Sequence, residues 1–140
     1  MLDFEQEIVK MIKQIEDSIN LSLERAFKRQ GLTLAQGGLL ILLYKMGDLK
    51  ISEISSILQK GNNTISQLCD RLEKLSLVKR IKDLDDKRIV YVHLEDEARI
   101  KIEDIAKIET SNIKFSKSDE KIIMNGLKCL LKCVTGDNNE

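Results

Sequence analysis

The stretch Asn62-Asn63-Thr64-Ile65-Ser66-Gln67-Leu68-Cys69-Asp70-Arg71-Leu72-Glu73-Lys74, continued by Leu77-Val78-Lys79-Arg80 and then by Asp83-Leu84-Asp85-Asp86-Lys87-Arg88, decides how this sequence folds. From Asn62 to about Leu75 the apolar residues Ile65, Leu68, Leu72 and Leu75 recur every three or four positions, the period of a helix with one buried face. Asn63, Thr64, Gln67, Arg71 and Lys74 fall on the opposite face. Just upstream, Ile54, Ile57 and Leu58 mark a short helix that Ser52 can cap, and Gln59 to Gly61 supplies a turn. Two short helices joined by a tight turn, the second with a polar outer face, make a helix-turn-helix pattern. Downstream, Leu77 to Ile81 reads as a strand. Ile89 to Leu94 reads as another, with Val90, Val92 and Leu94 on one side and Ile89, Tyr91 and His93 on the other. The charged run Lys82 to Arg88 between them is the loop of an antiparallel pair, and in this position such a hairpin is a wing.

Outward from this core the sequence is helical. Ile8, Ile12, Ile15, Ile19, Leu23 and Phe27 draw one stripe along a helix from Phe4 to Phe27, which Gly31 ends. At 1.5 Å per residue such a helix is about 40 Å long, so part of its stripe must find a partner beyond its immediate neighbours. Thr33 and Gln36 form a T-x-x-Q capping box for a second helix that Gly47 stops. Leu34, Leu39, Leu40, Leu42 and Leu43 make that helix apolar on most sides and central to the core. After the wing, Ala98, Ile102, Ile105 and Ile108 define a helix from about Asp96 to Asn112. Ile122, Ile123, Leu127, Leu130, Leu131 and Val134 define a last one from about Lys117 to Val134, capped by Ser116 or Ser118. The fold class expected is mainly α (α+β winged helix), as a single domain over residues 1–136 followed by a polar tail at 137–140.

Composition narrows the function classes. The 140 residues contain no proline and only three Phe and two Tyr, which favours uninterrupted helices over a strand-and-turn architecture. No apolar run approaches the ~18 residues that a membrane span needs, and the N-terminus has no signal-peptide core, so no membrane association is expected and the location expected is cytoplasmic. Three cysteines, Cys69, Cys129 and Cys133, suggest reduced thiols there. One histidine and three separated cysteines do not form a metal cluster. With no Gly-rich phosphate loop and no nucleophile elbow, neither a cofactor nor an enzymatic activity is expected. The 23 basic and 23 acidic side chains cancel, a balance that taken whole argues against nucleic acid. Divided along the chain they do not cancel: residues 1–58 carry seven basic and eight acidic groups, residues 59–90 eight and five, residues 91–140 eight and ten. A modest basic segment therefore coincides with the helix-turn-helix and wing. It predicts weak non-specific attraction to DNA and a larger share of recognition from shape and base contacts.

The order of helices, together with Leu32-Thr33-Leu34-Ala35-Gln36, Ile51-Ser52-Glu53-Ile54, the Asp70-Arg71-Leu72-Glu73-Lys74 run, Leu77-Val78-Lys79-Arg80 and the Asp83 to Arg88 wing, resembles the MarR family of winged-helix transcription regulators. The resemblance covers nearly the whole chain. It departs from the family at Ser55, where a small Ala is usual, at Ser76, where Gly is usual, and at Leu84, where Pro is usual. Glu95 and Ala98 stand where the family has Thr and Gly. The family often has Arg or Lys near the start of the recognition helix; here Asn62, Asn63 and Gln67 occupy those places. The resemblance implies a homodimer built by helices in residues 1–30 and 95–136 around the winged helix-turn-helix at 33–94. It also implies double-stranded DNA as partner, and a small-molecule effector or thiol oxidation as signal.

The candidate DNA-binding residues are Asn62, Asn63, Thr64, Ser66, Gln67, Arg71, Lys87 and Arg88. Asn and Gln make bidentate contacts to adenine N6 and N7, so Asn62, Asn63 and Gln67 suggest an A·T-containing site. Thr64 and Ser66 suit phosphate or the thymine methyl, and Lys87 a phosphate. By resemblance Arg88 enters the minor groove while Asp86 orients it; a narrow A·T-rich groove attracts Arg by its enhanced negative potential. An interaction module with little DNA affinity is the alternative that a weakly basic recognition helix permits. Cys69 falls on the inner side of its helix as a small core residue. Cys129 and Cys133, one turn apart beside the apolar stripe of the last helix, are either packing residues or the oxidant-sensing thiols of a redox-responsive regulator.

Overall fold

The computed structural model describes residues 3–111 and 115–136, so the tail expected at 137–140 and the helix boundary at Asn112 lie outside the described residues. The chain forms two compact units, residues 1–109 and 110–140. The first begins with α1 (Phe4–Arg29). Asp3 caps it by accepting the Gln6 amide at 2.9 Å, and Gln6 reaches back to the Asp3 amide. Glu5 and Glu7 in the first turn and Lys28 and Arg29 in the last complement the helix dipole. Only its C-terminal end is buried, through Ala26 and Phe27. Phe4, Val9, Met11, Ile12, Ile15 and Ile19 stay exposed.

Helix α2 (Leu34–Met46) starts with the expected capping box: the Thr33 hydroxyl accepts the Gln36 amide at 3.2 Å and the Gln36 side chain accepts the Thr33 amide at 2.9 Å. It buries Leu39, Leu40 and Leu43 at the centre of the core. Gly37 lies against the Phe27 ring so closely that a Cβ there would sit 2.4 Å from the ring carbon Cζ. Glycine is what lets α1 and α2 meet. Gly47 then ends the helix at φ +80, a backbone conformation that costs any residue with a Cβ.

Strand β1 (Leu49–Lys50) runs directly into α3 (Ile51–Leu58). The cap expected from Ser52 is corrected here: Ser52 lies inside α3, and the Lys50 amide is satisfied by the Glu53 carboxylate at 2.7 Å. Because the strand hands over to the helix at Ile51, the capping position falls on Lys50, two residues before the serine. Helix α3 ends with Gln59 in the left-handed region, and α4 (Asn62–Lys74) follows. It buries Ile65, Leu68, Cys69 and Leu72. Leu75, expected inward, lies past its last turn and is exposed. Ser76 adopts φ +58, where glycine would be at ease.

Strands β2 (Val78–Lys82) and β3 (Val90–Leu94) pair antiparallel, with Val78 opposite Leu94 and Lys82 opposite Val90. Each starts one residue later than expected. The third strand, β1, was not expected; it pairs with the other edge of β3, Leu49 opposite Val92, giving the order β1-β3-β2. Val92 and Leu94 turn into the core and α5 (Asp96–Ser111) closes it with Ala98, Ile102 and Ile105. The side chain of Ile108, expected in the same stripe, is outside the described burial. In the second unit, Ser116 caps α6 (Lys117–Thr135) by accepting the Asp119 amide at 3.1 Å. Its apolar residues Ile122, Ile123, Leu127, Leu131 and Val134 are exposed. Among the described residues no helix is long and apolar enough to cross a membrane.

Candidate nucleic-acid interface

Three elements bring the polar residues together. The first turn of α4 presents Asn62 and Asn63, the start of α3 presents Ser52, and the hairpin of β2 and β3 presents Arg80 and Arg88. With Lys50, Ile51, Ser66, Ile89 and Val90 these line one cleft of about 600 Å³. Its charged lining residues are Lys50, Arg80 and Arg88, all cationic, and the carboxylates that pair with the two arginines, Asp70, Glu73 and Asp86, stand outside the lining. Helix α4 has Gly61 at its N-cap and no side-chain cap. Its first amides and the positive end of its dipole are therefore left for an external acceptor.

The wing is built by local hydrogen bonds. Asp83 accepts the backbone amides of Asp85 and Asp86 at 3.2 and 3.0 Å, and the Asp83 and Ile89 amides close the turn on the Ile89 and Asp86 carbonyls. Asp86 holds Arg88 in a two-pronged grip, Nε to Oδ1 at 3.0 Å and the terminal nitrogen to Oδ2 at 3.1 Å, while Oδ1 also accepts the Arg88 amide at 3.0 Å. The side-chain hydrogen bond and then the backbone bond from Arg88 hold the Asp86 carboxyl below its ordinary value, and the same contact raises the guanidinium. Planar, bidentate pairing of this kind fixes the direction of the guanidinium as well as its charge. Yet the Arg88 side chain remains 91% exposed, so it is aimed outward.

Not every candidate residue joins the cleft. Asn62, Asn63, Ser66 and Arg88 line it, whereas Thr64, Gln67 and Arg71 stand on the exposed surface of α4, and Lys87 is exposed on the wing. Ser66 is half-buried under Arg80, whose guanidinium donates to the Ser66 carbonyl at 3.2 Å and to its hydroxyl at 3.4 Å.

Arg80 is the cleft residue that residue-by-residue reading did not single out. It pairs with Asp70 at 2.8 Å and Glu73 at 3.5 Å, tying β2 to two turns of α4. Burial works against its charge, but the Asp70 hydrogen bond and the two carboxylates outweigh it and hold its pKa above the ordinary arginine value. The signal was the spacing of Asp70, Glu73 and Arg80 within the motifs quoted above. Lys50, which also lies 5.8 Å over the Tyr91 ring, carried no such signal. Cys69 is buried as expected, and burial first of all pushes its thiol up, away from the reactive thiolate. Cys129 and Cys133 are exposed.

A helix-turn-helix whose second helix flanks a hairpin with an outward arginine, over a three-stranded antiparallel sheet, defines a winged helix-turn-helix protein. Comparison with known proteins agrees. The MarR family model matches residues 32–90. The transcriptional repressor MdtR of Bacillus subtilis is 32% identical, the match covering 69% of this chain and 70% of MdtR. The structure is similar to that of a MarR family protein from Bacillus stearothermophilus, with a TM-score of 0.81 at 21% identity over 96% of this chain and 99% of the other. It is also similar to that of a point mutant of Staphylococcus aureus MepR bound to an oligodeoxyribonucleotide, with a TM-score of 0.64 at 21% identity over 91% and 97% of the two chains. The chain belongs to the MarR family. It is a transcriptional regulator and not an enzyme.

Proposed function

We propose that this regulator binds a pseudo-palindromic operator as a homodimer, with α4 in the major groove and the wing over the adjacent minor groove, and that it represses by occluding a promoter. The observation that carries the reading is the cleft in which Arg88, aimed by Asp86, flanks the uncapped start of α4. A phosphate fits the uncapped helix end, the exposed Gln67 and Asn63 suit adenine edges, and the outward guanidinium suits an A·T-rich minor groove. The DNA-bound MepR structure shares this fold, and the relative MdtR is a repressor by name. The dimer is supported by the exposed apolar residues of α1 and, in its own unit, of α6, which a two-fold partner would cover. Release by a small effector is the regulatory step that the family resemblance implies.

Selection of duplexes from a random library, followed by affinity measurement across a salt series, tests this reading. A regulator of this kind yields a two-fold symmetric motif and a negative slope of log affinity against log salt. Arg88→Ala lowers affinity for all sequences, and Gln67→Ala changes the preferred base at one position in each half-site. Sedimentation at micromolar concentration gives twice the chain mass. No retained DNA at moderate salt would instead make the fold an interaction module.

A further inference from the structure

Cys129 and Cys133 take no part in the core or in the cleft. Both are exposed on α6. They stand four residues apart on one unbroken helix, hence one turn apart on the same side, with Cβ atoms about 5–6 Å from each other. Cys69, the third thiol, is buried and belongs to the other unit. The spacing decides what the pair can do. A disulfide needs its Cβ atoms about 3.5–4.5 Å apart, so joining these two directly would distort the helix. An ion held between the sulfurs lengthens the bridge by two metal–sulfur bonds and spans the turn as it stands.

The surroundings decide which ion. Zinc takes four ligands, and among the described residues no three of His, Cys, Asp and Glu are grouped so as to hold a metal. From Lys121 to Thr135 the helix has no carboxylate at all. The scattered ligands that exclude a four-ligand centre do not exclude a two-ligand one, and soft thiolates select copper(I). Charge agrees with that choice. Two thiolates around a monovalent ion leave one negative charge, and Lys128 and Lys132 each precede one of the thiols. By helical period the two lysines share one side of α6, Ile123, Leu130 and Val134 the far side, and both cysteines fall between. A partner packed on the apolar side need not cover them.

We propose that Cys129 and Cys133 form a two-coordinate site for a soft monovalent ion, copper(I). On binding, each S–H gives its proton to solvent, two S–Cu bonds form and no oxidation state changes. The site makes α6 the place where a soft metal, rather than an oxidant, meets this regulator. It stands independently of the operator reading above, and its test needs no DNA.

The full chain, reduced and kept free of oxygen, is titrated with copper(I) against the coloured chelator bathocuproine disulfonate. Wild-type protein withdraws one equivalent per chain, and copper K-edge absorption shows two sulfur neighbours in line. Cys129→Ser and Cys133→Ser, each with Cys69 intact, weaken binding more than about hundredfold, since even a group that merely orients a ligand is worth about 10–100-fold. Both positions are exposed, so far-UV circular dichroism of the variants matches wild type. Adding Leu131→Cys to Cys133→Ser restores the number of thiols on α6 but sets them on opposite sides, and binding stays lost. Recovery there would show that any two thiols suffice and would overturn the site. Half an equivalent per chain with three or four sulfur neighbours would put the ion between copies and overturn it too, as would zinc(II) competing on equal terms or no withdrawal of copper(I) at all.

Discussion

Gly37 and Gly38 are neighbours in α2, and alanine at one should act opposite to alanine at the other. Replacing a helix-interior glycine by alanine is worth about 0.8–1.0 kcal/mol of helix propensity. At Gly38 nothing lies within 4 Å of the new Cβ, so Gly38→Ala should gain about 1 kcal/mol. At Gly37 the Cβ would lie 2.4 Å from Cζ of Phe27 and 2.5 Å from both ring Cδ atoms, whereas carbons rest at about 3.5–4.0 Å. The ring must retreat by about 1 Å, and Phe27 is 1% exposed in the core cluster that also holds Leu32, Leu39 and Leu40. Overpacking of this sort costs about 1–3 kcal/mol; a boxed-in aromatic ring sets the upper part of that range. After the propensity gain, Gly37→Ala should lose about 1–2 kcal/mol, leaving the two variants about 2–3 kcal/mol apart. Urea unfolding followed by circular dichroism, at fixed protomer concentration because a dimer's stability depends on it, measures the gap. Phe27→Leu in the Gly37→Ala background should recover part of the loss, a favourable coupling that the double-mutant cycle isolates. If Gly37→Ala is as stable as Gly38→Ala, the α1–α2 contact described above is wrong. The functional consequence is geometric: α1 meets the winged helix at this joint, so tilting it would alter half-site spacing in the proposed dimer.

Arg80→Met should cost about 1–2 kcal/mol, the value of a short charge-assisted bond and a longer one on a side chain still 27% exposed. It should also loosen hydrogen-exchange protection in α4 from Ser66 to Glu73, where Arg80 is bonded, more than in α2. Ser76→Gly should stabilise by about 1 kcal/mol or slightly more, since it relieves the left-handed backbone at φ +58, read as a higher urea midpoint with unchanged slope. Asp86 has its folded pKa depressed below 3.8, so the Arg88 grip contributes above that value and is lost only as pH falls through the lower, folded pKa. A carboxyl-carbon NMR titration should give an Asp86 midpoint below the ordinary value, restored by Arg88→Ala, with wing geometry constant from pH 5 to pH 8.

Much of the architecture is legible in the chain because it rests on local interactions. The Thr33–Gln36 box spans three residues, the outward face of α4 follows from helical period, and the Asp86–Arg88 grip spans two. Such contacts form wherever the segment sits, so reading them needs no knowledge of the fold. The serine cap at Ser52 failed for an instructive reason: β1 has two residues, too few for any alternation to show, and its pairing with β3 moved the start of α3 to Ile51. A residue's capping role depended on a strand partner more than forty positions away.

The helical scaffold, the winged helix-turn-helix order and the residues of the wing can be read from the chain alone, since patterning, caps and turn chemistry are carried within short windows. It takes the folded chain to show that Arg80 reaches across fourteen residues to Ser66, that Gly37 must be a glycine because Phe27 packs on it, and that Lys50, Arg80 and Arg88 share one cleft with the start of α4. These are choices among chemically equivalent partners: the chain holds 23 lysines and arginines, and nothing local to any of them says which three will meet. Pairing of β1 and β2 on the two edges of β3, with α4 held against β2 by Arg80, brings those three together.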